Sequence, residues 1–220
     1  GGKTVFANSS MRAFLGSLAE SGLATCWQQL VHTDDLDAAV LAYESAVRAH
    51  QTIQIEYRMR RADGEWRWIL DAGSPRMTEH GEYAGYIGTC YDITERKTAE
   101  VALRESEERF RNVANLTPAI IWVADADTTC TFISKTWFDL SGQTTEEATG
   151  HGWTNAIHPD DREATRESTM QGFASRERYE NEFRVRSANG SWRTLLNTAA
   201  PRFGKGGEFL GYIGSAIDVT

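Results

Sequence analysis

Two stretches of the chain alternate apolar and polar residues with the two-residue period of a half-buried strand. Around Asp63-Gly64, the run Glu56–Met77 predicts a hairpin, and Glu182–Phe203 predicts another around Asn189-Gly190. Asp-Gly and Asn-Gly tolerate positive φ and predict two-residue turns. With that register Tyr57, Met59, Trp66, Trp68 and Leu70 share one face, and Arg58, Arg60 and Arg67 the other. One apolar and one charged face imply an antiparallel sheet covered on one side. A further strand, Phe209–Val219, ends in Asp218-Val219-Thr220. Upstream, strands are expected over Ile120–Ala124 and Cys130–Ser134, joined by a turn rich in Asp and Thr. Short helical and irregular pieces follow to Ile157. His158-Pro159-Asp160-Asp161 then opens a helix to about Ser175, with Pro at a first-turn position and both Asp facing the positive end of the dipole. His32-Thr33-Asp34-Asp35 opens an equivalent helix, where Thr33 is the expected cap.

The chain repeats itself at an offset of 126 residues. EYRMRRADGEWRWILDAGSPRM from Glu56 lies over EFRVRSANGSWRTLLNTAAPRF from Glu182. His32, Asp34 and Asp35 lie over His158, Asp160 and Asp161, and GYIG at Gly85–Gly88 over GYIG at Gly211–Gly214. Roughly three in ten positions agree without a gap from Val5 onward. A period this long means tandem domains, expected at 1–94 and 116–220 with a linker at 95–115. Copy two has a strand, Ile120–Ala124, that copy one lacks, so the first domain is expected to be short of its first strand and the sequence to be cut from a longer protein.

The repeat resembles the PAS domain, in the subgroup with a His-Pro-Asp-Asp run and a Gly-Tyr-Ile-Gly…Asp-Ile-Thr ending. Copy one departs at Thr33, which replaces Pro. The resemblance implies an α+β fold: a five-stranded antiparallel sheet in order 2-1-5-4-3, with helices on one face. It implies a sensory and relay role in a larger protein, a bacterial sensor histidine kinase of a two-component system, whose catalytic domains lie outside this stretch. A change in ligand or packing would pass through the last strand to a helix. Asp92 and Thr94 stand where strand becomes linker helix, and Asp218 and Thr220 at the equivalent exit; short polar side chains there can cap a helix start. The family's ligand cavity would be walled by Trp122, Phe132, Trp137, Val185 and Leu196 in copy two, and by Phe6, Met11, Met59, Trp68 and Leu70 in copy one. The competing reading is that these side chains simply fill the core. Flavin-binding members carry a reactive Cys in an Asn-Cys-Arg run, which none of the three cysteines matches, and His50 has Arg176 as its counterpart. No flavin or haem is expected; an unknown small ligand remains open. A ligand-free dimerisation or protein-interaction module is the alternative function.

The linker TERKTAEVALRESEERFRNVAN is built of good helix formers. Leu103, Ser106, Phe110, Val113 and Thr117 fall on an a/d spacing, with Ala99 one step earlier. That thin stripe fits a solvated helix packed on its own domain, or a short parallel coiled coil between two chains; the PAS resemblance favours the homodimer, with an output domain following in the same chain.

Composition narrows the partners. A net charge of -8 disfavours nucleic acid. Runs such as Ala119–Ala124 are far too short to span a bilayer, so no membrane contact is expected. Cys26, Cys90 and Cys130 are odd in number and widely spaced, without metal-ligand spacing, which suits a reducing cytoplasm. The His-Asp-Asp cluster reads as a helix start rather than a metal or acid–base site. Gly2-Lys3-Thr4 lacks the upstream Gly and strand of a phosphate-binding loop. No catalytic residue is assigned.

Overall fold

The structure is a computed structural model describing residues 6–16 and 27–220; Gly2-Lys3-Thr4 and Cys26 lie outside the described residues. The chain divides into two compact units, residues 1–104 and 105–220. In the first, helices α1 (Ser9–Leu15) and α2 (Thr33–Ala49) precede strands β1 (Ile53–Arg60), β2 (Trp66–Met77) and β3 (Tyr83–Asp92). Helix α3 (Thr94–Leu116) follows without a break. In the second, β4 (Ile120–Ala124) and β5 (Cys130–Ile133) precede α4 (Lys135–Ser141), α5 (Thr145–Ala148) and α6 (Arg162–Ser175), and then β6 (Tyr179–Arg186), β7 (Trp192–Phe203) and β8 (Phe209–Asp218). The second sheet is fully antiparallel in the order β5-β4-β8-β7-β6, which is the 2-1-5-4-3 order of the expected fold. Among the described residues the first unit has three strands, ordered β1-β2-β3.

The hairpins differ from expectation by one residue, with large consequences. Arg60 pairs with Trp66 and Arg186 with Trp192, and inside them Arg61 N–H donates to the Glu65 carbonyl and Ser187 N–H to the Ser191 carbonyl, so each loop has three residues, not two. Gly64 (φ 89) and Gly190 (φ 86) are the left-handed third residues, as in a type I turn closed by a bulge. A slip of one residue moves every side chain on β2 and β7 to the other face. Tyr57, Met59 and Ile69 therefore form the first core, with Leu15 and Val31. Trp68 and Leu70 lie on the opposite face, where the Trp68 ring sits under Arg58 (5.5 Å) and Lys97 (5.4 Å). In the second unit Leu195, wholly buried, takes the core position assigned to Leu196.

A second slip occurs on β5. Trp122 pairs with Ile133 and Val123 with Phe132, but Ala124 pairs with Cys130, so Thr131 is a bulge. It leaves Cys130 and Ile133 facing inward and turns Phe132 outward, against Phe110 of α3 at 5.1 Å.

Candidate functional site

The inner face of the second sheet and helices α4 and α6 enclose a cavity of about 50 Å³. At roughly 12 Å³ of such space per water, that is room for about four water molecules. Its walls are largely apolar, with aromatic rings from Trp122, Trp137, Trp153, Phe173 and Phe183 among them. No Asp, Glu, Lys, Arg or His lines it. Its polar groups include a chain of three side chains crossing the sheet. The Trp122 indole Nε1 donates to Asn197 Oδ1 (2.7 Å), and Asn197 Nδ2 donates to Asn181 Oδ1 (2.8 Å). Asn181 Nδ2 is buried and has no partner among the described residues. Trp122 can lie flat only because its neighbour on β8 is Gly214: a Cβ there would fall inside the indole.

The residues expected at the cavity are thus dispersed. Trp122 and Trp137 line it. Val185 is wholly buried in the adjoining core but is not among the lining residues. Phe132 and Leu196 are corrected to the outer face, by the Thr131 bulge and the three-residue loop respectively. In the first unit Met59 is in the core and Met11 packs against it. Trp68 and Leu70 are corrected to the outer face. Phe6 is corrected to an exposed position, 76% accessible, because residues 6–8 form no strand that would turn it inward. Asn197 was missed because the two-residue loop put it on the outer face, and Asn181 because the expected strand began at Glu182, whereas β6 begins at Tyr179 and places Asn181 on the same face as Val185.

The two exits share one arrangement. Asp92 accepts the Thr94 N–H (2.9 Å), as an acidic cap does at a helix start. The Thr94 hydroxyl, however, does not cap: it accepts the N–H of Trp68 on β2 (2.9 Å), while Ile93 donates to the Trp68 carbonyl (2.8 Å). The first turn of α3 is also held by Glu56 of β1, which accepts from Arg96 (2.5 Å) and pairs with Lys97 (2.6 Å). The Lys97 contact, first, and Arg96 hold the Glu56 carboxyl below its ordinary value. In the second unit Asp218 accepts the Thr220 N–H (3.0 Å), and the Thr220 hydroxyl accepts the Thr194 N–H on β7 (2.9 Å).

The His-Asp-Asp runs are edge clamps. His32 and His158, not Thr33, accept the N–H two residues on through Nδ1 (3.3 and 3.2 Å). Their own N–H groups donate to the carbonyls of Arg58 and Arg184, on the edge strands β1 and β6. Asp161 then accepts the Arg184 backbone N–H (2.9 Å) and two guanidinium N–H groups (2.8 and 2.6 Å). Those side-chain bonds are the main reason its pKa falls to about 2. Asp35 repeats the pattern with Arg58. Each clamp occupies the N–H and the carbonyl of one edge residue, Arg58 or Arg184, which would otherwise be open to another strand. The tyrosines of the two GYIG runs act at the other end of the helix: Tyr86 and Tyr212 hydroxyls each lie within hydrogen-bond reach of two carbonyls, at Ala46 and Gln51 and at Gly172 and Glu177.

Among the described residues no cluster of three His, Cys, Asp or Glu side chains could hold a metal, and no helix is long and apolar enough to cross a membrane. Neither α4 nor α5 carries a cysteine. Cys130, on β5, is pushed up to about pKa 11 by burial, the opposite of a reactive thiol.

The family model of the PAS fold matches residues 4–90 and again 131–216. The chain belongs to the PAS fold family and carries the domain twice. It is 34% identical over 205 residues to an uncharacterised protein, y4lL, of Sinorhizobium fredii, covering 93% of this chain and 25% of that protein. It is 29% identical over 143 residues to the two-component sensor PprA of Pseudomonas aeruginosa (64% and 15%). It is 23% identical over 230 residues to a blue-light-activated histidine kinase of Brucella anthropi (98% and 46%). The chain therefore spans less than half the length of each of these relatives, and sensor histidine kinases are among them.

Proposed function

We propose that this chain is the sensory and relay portion of a sensor histidine kinase in a two-component system, working in the cytoplasm as a parallel homodimer through α3. The observation that carries the reading is the exit junction. Thr94 is the first residue of α3 and is hydrogen-bonded to β2, so a shift in the sheet is transmitted to the helix start without an intervening flexible loop. The mechanism is a population shift between two arrangements, biased by what occupies the second unit's cavity or by packing of the dimer. Exposed Leu103 and Val113 on α3 supply apolar positions for a second copy. The cavity's volume and its lining argue against flavin and haem and for a smaller ligand. In the first unit the inward positions hold Tyr57, Met59 and Ile69 as core, which favours a relay by packing rather than ligand there.

Replacing Asp92 with Ala in the full-length protein removes the bond to the Thr94 N–H while leaving the core intact. Kinase output should lose the part of its regulation that passes through the first unit, with the thermal transition of that unit shifted by no more than a few degrees. Unchanged regulation in that variant would refute the junction's role.

A further inference from the structure

The chain of amides in the second unit has a defined polarity, and that polarity says what it can bind. An indole N–H only donates. Asn197 must therefore turn its oxygen to Trp122 and its NH2 to Asn181. Asn181 must in turn offer its oxygen to Asn197, which leaves its own NH2 as the free end. The orientation of both amides follows from the indole rather than from a choice between look-alike atoms. A buried amide N–H without a partner is destabilising, so the site favours an acceptor in the cavity that Asn181 lines. The lining has no charged side chain to offset a buried charge, so an ionised ligand is disfavoured. The aromatic walls favour an apolar body.

We infer that the second unit binds a small, neutral, mostly apolar molecule through one carbonyl-type acceptor, which takes a hydrogen bond from Asn181 Nδ2. The inference rests on the sensory reading above and names the ligand class of its cavity. The first unit has a different chemistry at the equivalent positions. Ile55 stands in place of Asn181, and Asp71 in place of Asn197, where it accepts from Tyr57 Oη (3.0 Å). The free donor is thus a property of the second copy, and the two copies do not recognise the same molecule.

The test uses the 220-residue chain with an isotope-labelled Asn side-chain spectrum. Cyclopentanone is titrated against methylenecyclopentane, which has nearly the same shape without the acceptor, and against butyrate, which has the acceptor with a charge. Cyclopentanone should bind roughly five- to tenfold more tightly than methylenecyclopentane, the value of one net hydrogen bond, and should shift the Asn181 NH2 signals. Butyrate should bind more weakly than both. In Asn181→Leu, whose fold is checked by its backbone spectrum, the ketone's advantage should vanish while methylenecyclopentane binds as before. Equal affinities for the neutral pair in the native chain, binding of neither, preferred binding of butyrate, or an undiminished advantage in Asn181→Leu would each overturn the inference. Because binding is read directly, these failures are separate from the kinase readout of Asp92→Ala: a chain that binds the ketone but does not change output leaves the ligand class standing and removes the sensory role.

Discussion

Asp161 offers the sharpest test of how the helices are fastened to the sheet. Its carboxylate stands at the N-terminus of α6 without bonding to that helix's own N–H groups, and receives the backbone N–H of Arg184 on the edge strand at 2.9 Å, with a fork of two guanidinium bonds beside it. The guanidinium faces solvent and is left out of the sum. The part-buried bond from a backbone N–H to a carboxylate contributes ~1–1.5 kcal/mol. The negative charge at a helix N-terminus adds ~0.3–1 kcal/mol. Asp161→Ala should therefore destabilise the second unit by about 2 kcal/mol, or about 6–8 °C in its thermal midpoint for a domain of this size. Asp160→Ala, whose side chain is 77% exposed, should change it by less than about 0.5 kcal/mol. Thermal unfolding followed by circular dichroism separates the two. If the units melt apart, Asp161→Ala should move only the transition of the second, and Asp35→Ala only that of the first. The pH dependence has a definite sign. A carboxyl whose pKa is lowered from 3.8 to about 2 on folding contributes stability that is complete above about pH 4 and lost as pH falls toward 2. The gap between native protein and Asp161→Ala should therefore close on acidification from pH 6 to pH 2. A gap below about 0.5 kcal/mol at pH 6, or one that widens in acid, would refute the clamp.

Two further outcomes follow from the packing. Gly214→Ala must push the Trp122 indole off its place on β8, at about 2 kcal/mol and with a changed Trp emission spectrum, whereas Gly88→Ala, whose added Cβ would meet the Ala72 carbonyl at 3.0 Å and no indole, should be milder by at least about 1 kcal/mol; equal effects on urea unfolding would contradict this. Cys130, 5% accessible and with its thiol pushed up to about 11, should react with iodoacetamide at pH 8 about two orders of magnitude more slowly than it does in denaturant, as read by mass spectrometry of the Cys130 peptide; comparable rates would show that the thiol is not protected.

The order of elements and the duplication were legible because they rest on patterns many residues long, whereas the strand pairing order followed from the resemblance to the PAS domain. The faces of individual side chains were not, because they depend on single-residue events. Asp63-Gly64 and Asn189-Gly190 announce a reversal, but a two-residue and a three-residue loop both place Gly at a left-handed position. Choosing the shorter one sent Trp68, Leu70 and Leu196 inward and hid Asn197, while Asn181 lay ahead of the expected strand start at Glu182. The bulge at Thr131 has no signature of its own, so simple alternation misplaced Phe132. His158 was read correctly as part of a helix start, yet its partnership with Arg184 links residues far apart in sequence, which no local pattern encodes. Val185 was legible as buried because an apolar side chain between two arginines on a strand has few other places to go.

The fastening of Thr94 to β2 and of Thr220 to β7 has an evolutionary corollary. Each copy terminates in the same coupling, while the groups facing its interior differ: Asp71 in one, Asn197 in the other. Under the proposed relay, input chemistry and output mechanics are thereby carried by separate residues. A lineage can swap what a copy detects, or gain and lose whole copies, without having to reinvent the way the message leaves.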